Sequence, residues 1–322
     1  MSRSPASGPS DGLRAFFLVG PTGVGKTALA HGLARRNALR ILSADSMLVY
    51  RGMDRGTDKP SPEQQRAWGY GGIDLVAPDG VWNVAAYRQH ALDFLRRAQE
   101  DRVSVLVAGG TGLYIKALLE GLASGPAPDE ALRFAGEALL KAQGKEAFRR
   151  WARAQAGTAW EALAGEDNPR RLLRALERVR AGLPARAESW NRFASACLPG
   201  LQRTAADLRQ RITVRAERMF QEGLLEEAAA LRKRYGRLSR TARQAIGYRE
   251  AWDVLQGRLT TAAAVEHTVL RTLRLAKRQR TWFRHQAQVQ WVDLPAGKEA
   301  GEAQALRIEA FWRIHGPTPV QH

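Results

Sequence analysis

A short glycine-rich stretch between positions 20 and 27 contains the clearest candidate for a binding or catalytic site. The stretch GPTGVGKT fills the P-loop pattern GxxxxGK[ST] with Gly20, Gly25, Lys26 and Thr27. In such a loop the backbone N–H groups cradle phosphate, the lysine adds a point charge and the threonine hydroxyl can ligate Mg²⁺. An apolar run precedes the pattern and apolar residues at helical spacing follow it, which predicts a strand, a loop and a helix. The pattern indicates binding of two linked phosphates and leaves open which molecule carries them.

Two further predicted strands follow this loop in the chain. Apolar runs at 39–44 and 103–108 predict two more short strands, the first delivering Asp45 and the second ending in Gly109 and Gly110. Ligands bind at the carboxyl ends of strands in an open α/β sheet, so we expect Asp45 beside the P-loop, although a turn or cap is its commoner role. The glycines stand where a P-loop NTPase usually has an aspartate for Mg²⁺, which makes a plain ATPase a poor fit.

Helical patterns replace strand patterns in the middle of the chain. A strand near 194–198, a long helix over Asp207 to Tyr235 and a basic helix over Glu266 to His285 then return the chain to the core. The predicted fold is therefore α/β, with a P-loop NTPase-like parallel sheet and a mostly helical insertion. The predicted domains are a disordered tail (1–14), the first part of the α/β core (15–116), the helical insertion (117–193) and the returning core with basic helices (194–322).

Composition restricts the class of partner. The 322 residues carry a formal charge of +18, which favours a polyanion partner over a small neutral metabolite. A single cysteine, Cys197, excludes an internal disulfide and a cysteine-rich zinc site. No apolar run is long enough to cross a bilayer. We expect a cytoplasmic monomer without a membrane partner.

Arginines recur at helical spacing in two segments. Arg170, Arg174 and Arg178 fall at i, i+4 and i+8 and form one stripe on a helix that Asn168 would cap. The helix over 266–285 carries six basic residues and ends in two aromatic ones. Such segments suit phosphate contact and base stacking, but solvated faces and core packing explain them equally well.

Six segments, taken together, resemble the bacterial tRNA dimethylallyltransferases. They are GPTGVGKT (20–27), SADSMLVYRGMDRGTDKP (43–60), GGTGLYIKALLEGL (109–122), NPRRLLRALE (168–177), QAIGYRE (244–250) and AKRQRTWFR (276–284). The resemblance implies a Mg²⁺-dependent enzyme that transfers a dimethylallyl group from dimethylallyl diphosphate to N6 of adenosine 37 in tRNA. It also implies a P-loop core whose helical insertion grips the anticodon stem-loop.

The resemblance further implies roles for single positions. Asp45 and Arg215 would be catalytic, and Thr27 would ligate the metal. The diphosphate would be held by Gly20, Pro21, Thr22, Gly23, Val24, Gly25, Lys26 and Thr27. The tRNA would be contacted by Asp45, Ser46, Met47, Leu48, Thr111, Arg133, Arg170, Arg171, Leu172, Leu173, Arg174, Gln244, Ala245, Ile246, Gly247, Tyr248, Arg249, Lys277, Arg278, Gln279, Arg280, Thr281, Trp282, Phe283 and Arg284.

Three positions depart from the pattern of that family. Leu48 stands where a polar glutamine is usual, and Arg55 and Asp58 interrupt a loop that usually reads MDIGTAKP. Two other functions stay open from the residues alone. A P-loop kinase of a small metabolite would use the same loop and Asp45 but leaves the basic helices unexplained. A nucleotide-gated RNA-binding module would use the loop as a switch.

Overall fold

The computed structural model describes residues 12–123, 125–186 and 196–321. The chain divides into two compact units, one formed by Met1–Gly121 with Phe193–His322 and the other by Leu122–Arg192. Most of the predicted N-terminal tail, residues 1–11, lies outside the described residues, whereas Arg14 already belongs to the first strand.

A parallel sheet forms the centre of the first unit. Its strand order is β2-β3-β1-β4-β5, and β6 pairs antiparallel with β1. The predicted α/β fold with a parallel sheet is thereby confirmed. The strands are β1 (Arg14–Val19), β2 (Arg40–Ala44), β3 (Val105–Gly109), β4 (Cys197–Gln202), β5 (Gln288–Asp293) and β6 (Thr318–Pro319).

Strand β1 shows why this sheet is covered on both faces. Phe17 and Val19 pack into one apolar cluster with α3 and α4 residues, while Phe16 and Leu18 face a second cluster formed with helices α1 and α11. Alternate side chains of a strand point to opposite faces, so a run of four apolar residues supplies both clusters. The helices are α1 (Lys26–Asn37), α2 (Pro62–Ala67), α3 (Val84–Glu100), α4 (Gly112–Glu120), α5 (Glu130–Ala156), α6 (Pro169–Arg180), α7 (Ala205–Gln221), α8 (Leu224–Tyr235), α9 (Tyr248–Leu255), α10 (Thr261–Gln286) and α11 (Glu302–His315).

The chain after β4 differs from the single long helix that the sequence predicts. Helix α7 ends at Gln221 and α8 begins at Leu224, with Gly223 between them at φ +102. A left-handed residue cannot continue a right-handed helix, and glycine adopts that conformation at little cost. The strand before it also lies later than predicted, at Cys197–Gln202, and residues 194–195 of the predicted strand lie outside the described residues.

The second unit is helical and has its own core. Leu132 and Phe148 of α5 pack against Leu172 and Leu176 of α6. The unit begins at Leu122 and not at the predicted residue 117, because the apolar side of α4 packs in the core of the first unit. None of the described helices is both long and apolar enough to span a membrane.

Candidate active site

The P-loop connects the carboxyl end of β1 to the first turn of α1. Thr22, Gly23, Gly25, Lys26 and Thr27 line a cleft of about 770 Å³, while the remaining loop residues Gly20, Pro21 and Val24 are buried. Gly23 has φ +78, and a Cβ added there would lie 2.8 Å from the Ile212 side chain of α7. The glycine is therefore required both by the backbone conformation and by the close approach of α7.

The amino end of α1 is available to an anion. Its N-cap, Gly25, has no side chain to accept from the first-turn N–H groups, and that turn contains no acidic residue. Unpaired N–H groups and the helix dipole favour negative charge at such an end. The Thr22 backbone N–H donates to Oε1 of Gln279 on α10 at 2.8 Å, which fixes the loop against that helix.

Lys26 is held inside the cleft with a perturbed charge. Its Nζ donates to the Pro21 carbonyl at 2.7 Å. The Lys26 pKa is lowered from its ordinary value of 10.5 to about 8: burial is the main cause, the Asp45 charge opposes it, and the Arg215 charge adds a smaller lowering. Burial is also the main cause that lowers the Arg215 pKa. A bound anion would stabilise the charged form of both groups and so offset the hydration that burial removes.

Three arginine side chains donate hydrogen bonds to the P-loop, and one of them, Arg215, is among the predicted site residues. Arg203 donates to the Val24 carbonyl at 2.8 Å, Arg211 to the Gly23 carbonyl at 3.2 Å, and Arg215 to Oγ1 of Thr22 at 3.1 Å. The fully buried Arg203 also contacts Asp207 at 2.7 Å. Arg203 and Arg211 are functional candidates that sequence reasoning missed, and Gln279 was predicted only as a tRNA contact. The i, i+4 spacing of Arg211 and Arg215 was a signal for Arg211.

Asp45 follows the last residue of β2 and lines the same cleft. Its Oδ1 accepts from the Met47 N–H at 2.9 Å, so it does serve as a turn residue. Its charge nonetheless raises the pKa of Lys26 and of Arg215, as expected of a carboxylate that faces them. Among the described residues its Oδ2 accepts no hydrogen bond, which leaves this oxygen for a substrate. The two readings of Asp45 are compatible.

The end of β3 has no room for the acidic residue of an NTPase. Gly109 pairs with Ala44 of β2, and a Cβ on Gly109 would collide with the Ala44 carbonyl oxygen. A Cβ on Gly110 would lie 2.5 Å from Nε2 of Gln279 and 2.9 Å from the Gly20 carbonyl. The glycines therefore permit a close approach of β2, β3 and the P-loop, and substitution by aspartate would force these elements apart.

The donor set suits a magnesium ion only when a substrate brings further oxygens. Thr27 is exposed on the cleft wall, and the described part of the chain contains no group of three or more His, Cys, Asp or Glu side chains placed to hold a metal. Mg²⁺ usually retains several waters and binds one or two protein oxygens together with substrate phosphates. One threonine hydroxyl beside a phosphate cradle fits that mode.

The residues predicted to touch the target base lie at one edge of the sheet. Ser46, Met47 and Leu48 follow Asp45 and are half-buried, and Leu48 lines the cleft. The Ser46 N–H donates to Oγ1 of Thr111 at 3.2 Å, which joins the ends of β2 and β3. The structure thus brings these predicted residues together, and their contact with RNA stays a prediction.

The predicted tRNA-binding segment at 244–249 alternates between the surface and the core. Gln244 and Arg249 are exposed, Ile246 is half-buried and Gly247 is buried. Ala245 and Tyr248 are core residues, and the Tyr248 hydroxyl donates to Glu227 at 2.6 Å. Direct contact of those two side chains with RNA is wrong, because they are enclosed by the protein.

Helix α10 is divided in the same way. Lys277, Arg278, Thr281 and Arg284 are exposed and Arg280 is half-buried. Phe283 is fully buried, Trp282 packs against Gly112, and Gln279 holds the P-loop as described above. The enclosed Phe283 side chain cannot contact RNA directly, whereas RNA contact of the half-buried Gln279 and Trp282 stays a prediction.

Within the second unit, an acidic residue organises the predicted arginines. Glu177, 2 % exposed, pairs with Arg133 at 2.6 Å and with Arg174 at 2.8 Å. Arg170 and Arg171 are exposed at the start of α6. The predicted contact residues Leu172 and Leu173 are buried in this unit's core and cannot touch RNA through their side chains.

Comparison with known proteins assigns the sequence to one family. The sequence profile of the IPP transferase family matches residues 48–286. A tRNA dimethylallyltransferase 2 of Syntrophus aciditrophicus (strain SB) is 36% identical over 292 residues, which cover 89% of this chain and 93% of that protein. A tRNA dimethylallyltransferase of Synechococcus sp. (strain WH7803) is 40% identical over 300 residues, with 91% and 92% covered.

Solved structures give the same picture. The tRNA isopentenylpyrophosphate transferase of Bacillus halodurans superposes with a TM-score of 0.69 at 32% identity and covers 94% of this chain and 96% of its own. A eukaryotic dimethylallyltransferase acting on tRNA gives a TM-score of 0.75 at 18% identity, with 96% and 81% covered, which is a likeness of fold alone.

Proposed function

Because the chain belongs to the IPP transferase family, we propose that its cleft transfers a dimethylallyl group from dimethylallyl diphosphate to N6 of adenosine 37 in tRNA. The chain is a prenyltransferase that modifies tRNA, as are relatives 36% and 40% identical to it over 89% and 91% of its length. The donor, the acceptor atom and the residue roles are our assignment, and the products would be N6-(dimethylallyl)adenosine and diphosphate.

One observation carries the assignment. The P-loop, Lys26, Arg215 and Asp45 line a single cleft, with the cations against the loop and the carboxylate at the end of β2, two strands from β1. A prenyl diphosphate needs positive charge around its leaving group. An adenine amine needs an acceptor for the proton that it loses. The cleft offers both at the carboxyl edge of the sheet, where ligands of this architecture bind.

The chemistry follows from these positions. The P-loop amides, Lys26 and Arg215 would stabilise the charge that develops on the diphosphate as the C–O bond of the donor breaks. The N6 lone pair, weakly nucleophilic because it is delocalised into the ring, would form the new C–N bond. Asp45 would hydrogen-bond the amine and take its proton. When bound, Mg²⁺ would add positive charge on the diphosphate, and Thr27 is the residue that would hold it.

The tRNA side of the reaction explains the distribution of basic residues. Base 37 must leave its stack to enter the cleft, which requires a grip on the surrounding anticodon stem-loop. The exposed Arg170, Arg171, Lys277, Arg278 and Arg284 suit contact with phosphates. A tRNA substrate and a single cysteine favour a cytoplasmic location, and we retain the monomer as the working state.

A direct assay tests the proposal. The protein is incubated with dimethylallyl diphosphate, Mg²⁺ and unmodified tRNA carrying adenosine 37, and the digested nucleosides are analysed by mass. We expect one dimethylallyl group on that adenosine and none on a tRNA with guanosine 37. Lys26→Ala and Thr27→Ala should abolish transfer while the protein remains folded, because both side chains line the cleft and neither belongs to the core. Normal diphosphate affinity in Lys26→Ala would contradict the assignment of the loop.

The kinase alternative is answered in the same assay. Replacing the prenyl donor by a nucleoside triphosphate should give neither hydrolysis above background nor a phosphorylated product. The relatives do not favour that alternative, and Gly109 and Gly110 leave no space for an acidic metal ligand at β3. A purely RNA-binding module would bind tRNA in this experiment without altering it.

A further inference from the structure

Asp58 is a carboxylate in the cleft that the mechanism above does not use. It lines the same cavity as the P-loop, on the loop between β2 and α2. Its backbone has φ +55, in the left-handed region that Asp and Asn tolerate better than most residues. It is also one of the positions where the chain departs from the resemblance given by its sequence. A turn residue would need no particular contact for its side chain, so the contacts of this side chain decide its role.

The Asp58 carboxylate faces two arginines of α7. Oδ1 pairs with the Arg218 guanidinium at 2.7 Å, and Oδ2 lies 3.7 Å from NH1 of Arg215. The other amino group of Arg215, NH2, donates to Oγ1 of Thr22 in the P-loop at 3.1 Å. One guanidinium is thus held between the P-loop on one side and Asp58 on the other.

The loop that carries Asp58 is anchored independently of this carboxylate. The neighbouring Lys59, with a side chain 2% exposed, pairs with Asp54 and with Asp74 at 2.6 Å each. Its Nζ also donates to the Tyr50 carbonyl at 2.7 Å, and Thr57 Oγ1 donates to the Met53 carbonyl at 2.6 Å. Removing the charge of Asp58 should therefore leave the backbone of the loop in place.

Asp58 opposes the cations that would hold the diphosphate. Lys26, Arg211, Arg215 and Arg218 all line the cleft. Arg211 is already paired with Glu299 at 2.8 Å. A carboxylate close to Arg215 and Arg218 offsets part of their positive charge and repels a polyanion that binds beside them.

We propose that Asp58, which pairs with Arg218 and faces Arg215, offsets part of the positive charge of the cleft and thereby lowers its affinity for diphosphate. The proposal rests on the proposed function, because it assumes that the product bound at the P-loop is diphosphate. A cleft lined by Lys26, Arg211, Arg215 and Arg218 beside the amino end of α1 could retain this product and slow turnover. Asp58 would weaken that retention without removing any donor to the diphosphate.

Calorimetric titration with inorganic pyrophosphate and Mg²⁺ tests this role without tRNA. Asp58→Asn retains the shape and the tolerance for positive φ but removes the charge. We expect pyrophosphate to bind the variant roughly 3- to 30-fold more tightly, the range that one unit charge produces in a partly solvated site. The KM for dimethylallyl diphosphate should fall in the same direction. A purely structural role predicts unchanged or weaker binding, so the sign of the effect distinguishes the two.

Glu222→Gln is the matched control. Glu222 lies 3.9 Å from the same Arg218 but does not line the cleft. Its removal should change pyrophosphate affinity less than twofold. Equal or weaker binding by a folded Asp58→Asn variant overturns the proposal, as does tightening by the same factor in Glu222→Gln. If the wild-type protein transfers the prenyl group and Asp58→Asn behaves like it, the proposed function stands and only the role of Asp58 falls. If the wild-type protein neither binds pyrophosphate nor transfers, both fall.

Discussion

Raising the pH from 7 to 9 should weaken diphosphate binding because Lys26 loses its positive charge in this range. Burial lowers the pKa of this lysine from 10.5 to about 8 in the empty cleft. With that pKa, about nine-tenths of the lysine is charged at pH 7 and about one-tenth at pH 9. If diphosphate binds only the protein with a charged Lys26, a neutral Lys26 must take up a proton before binding can occur. The Kd should therefore rise about tenfold across these two units, which corresponds to about 1.4 kcal/mol.

Proton uptake is the direct readout. Titration of pyrophosphate in two buffers with different ionisation enthalpies gives the number of protons taken up on binding. The Lys26 contribution should be small at pH 7, about half a proton at pH 8 and close to one at pH 9. Lys26→Arg is the control, because a guanidinium stays charged throughout and reports the titration of the ligand and of the other residues. Identical pH profiles and proton counts for the two proteins would refute a lowered Lys26 pKa.

Three other expectations follow from the cleft and its surroundings. Asp45→Asn should lower kcat by about two to four orders of magnitude, because the lost base would act in the transition state. The Kd values for dimethylallyl diphosphate and tRNA should change only a fewfold. A normal kcat would show that Asp45 serves only as a turn residue. Arg278→Ala should weaken tRNA binding and reduce the slope of log affinity against log salt by roughly 0.7 to 0.9. The control Arg313→Ala on α11 should change neither quantity. Equal slopes for Arg278→Ala and the wild-type protein would show that the basic side of α10 is only solvated. Gly109→Ala should destabilise the protein by about 1–3 kcal/mol in chemical denaturation, because its Cβ meets the Ala44 carbonyl; unchanged stability would refute the need for close strand approach.

Sequence signals were sufficient where the interactions are local. Asn168 caps α6 through its side chain and Pro169 occupies the first turn, as the Asn-Pro pair predicts. Lys26 begins α1 directly after the glycines of the P-loop. These features depend on neighbours within one helical turn, so the residue types alone specify them.

The missed features depend on partners that are distant in the chain. Gln279 reaches the P-loop across 257 residues and Arg203 across 179, and no spacing rule relates such positions. Gln279 was predicted as an RNA contact only because it lies in a segment, Lys277 to Arg284, that resembles the family. The end of α7 was missed for another reason: Gly223 lies inside an uninterrupted helical pattern, and only its positive φ shows that the helix stops there.

The strand order explains why the acid of this cleft stands on β2 and not on β3. The P-loop follows β1, β3 is the neighbour of β1, and β2 lies one strand farther out. Ala44 and Gly109 are paired, so Asp45 and Gly110 occupy equivalent positions at the ends of adjacent strands. Neighbouring strands lie about 4.8 Å apart, so an acid on β2 is farther from the phosphate cradle by about that distance than an acid on β3. A metal ligand must reach the phosphate itself and gains from the nearer strand. A base that takes a proton from an incoming amine must instead leave room for the prenyl carbon between the amine and the departing diphosphate. The glycines at the end of β3 place no side chain between the P-loop and Asp45, and the carboxylate on β2 would meet the acceptor from that side.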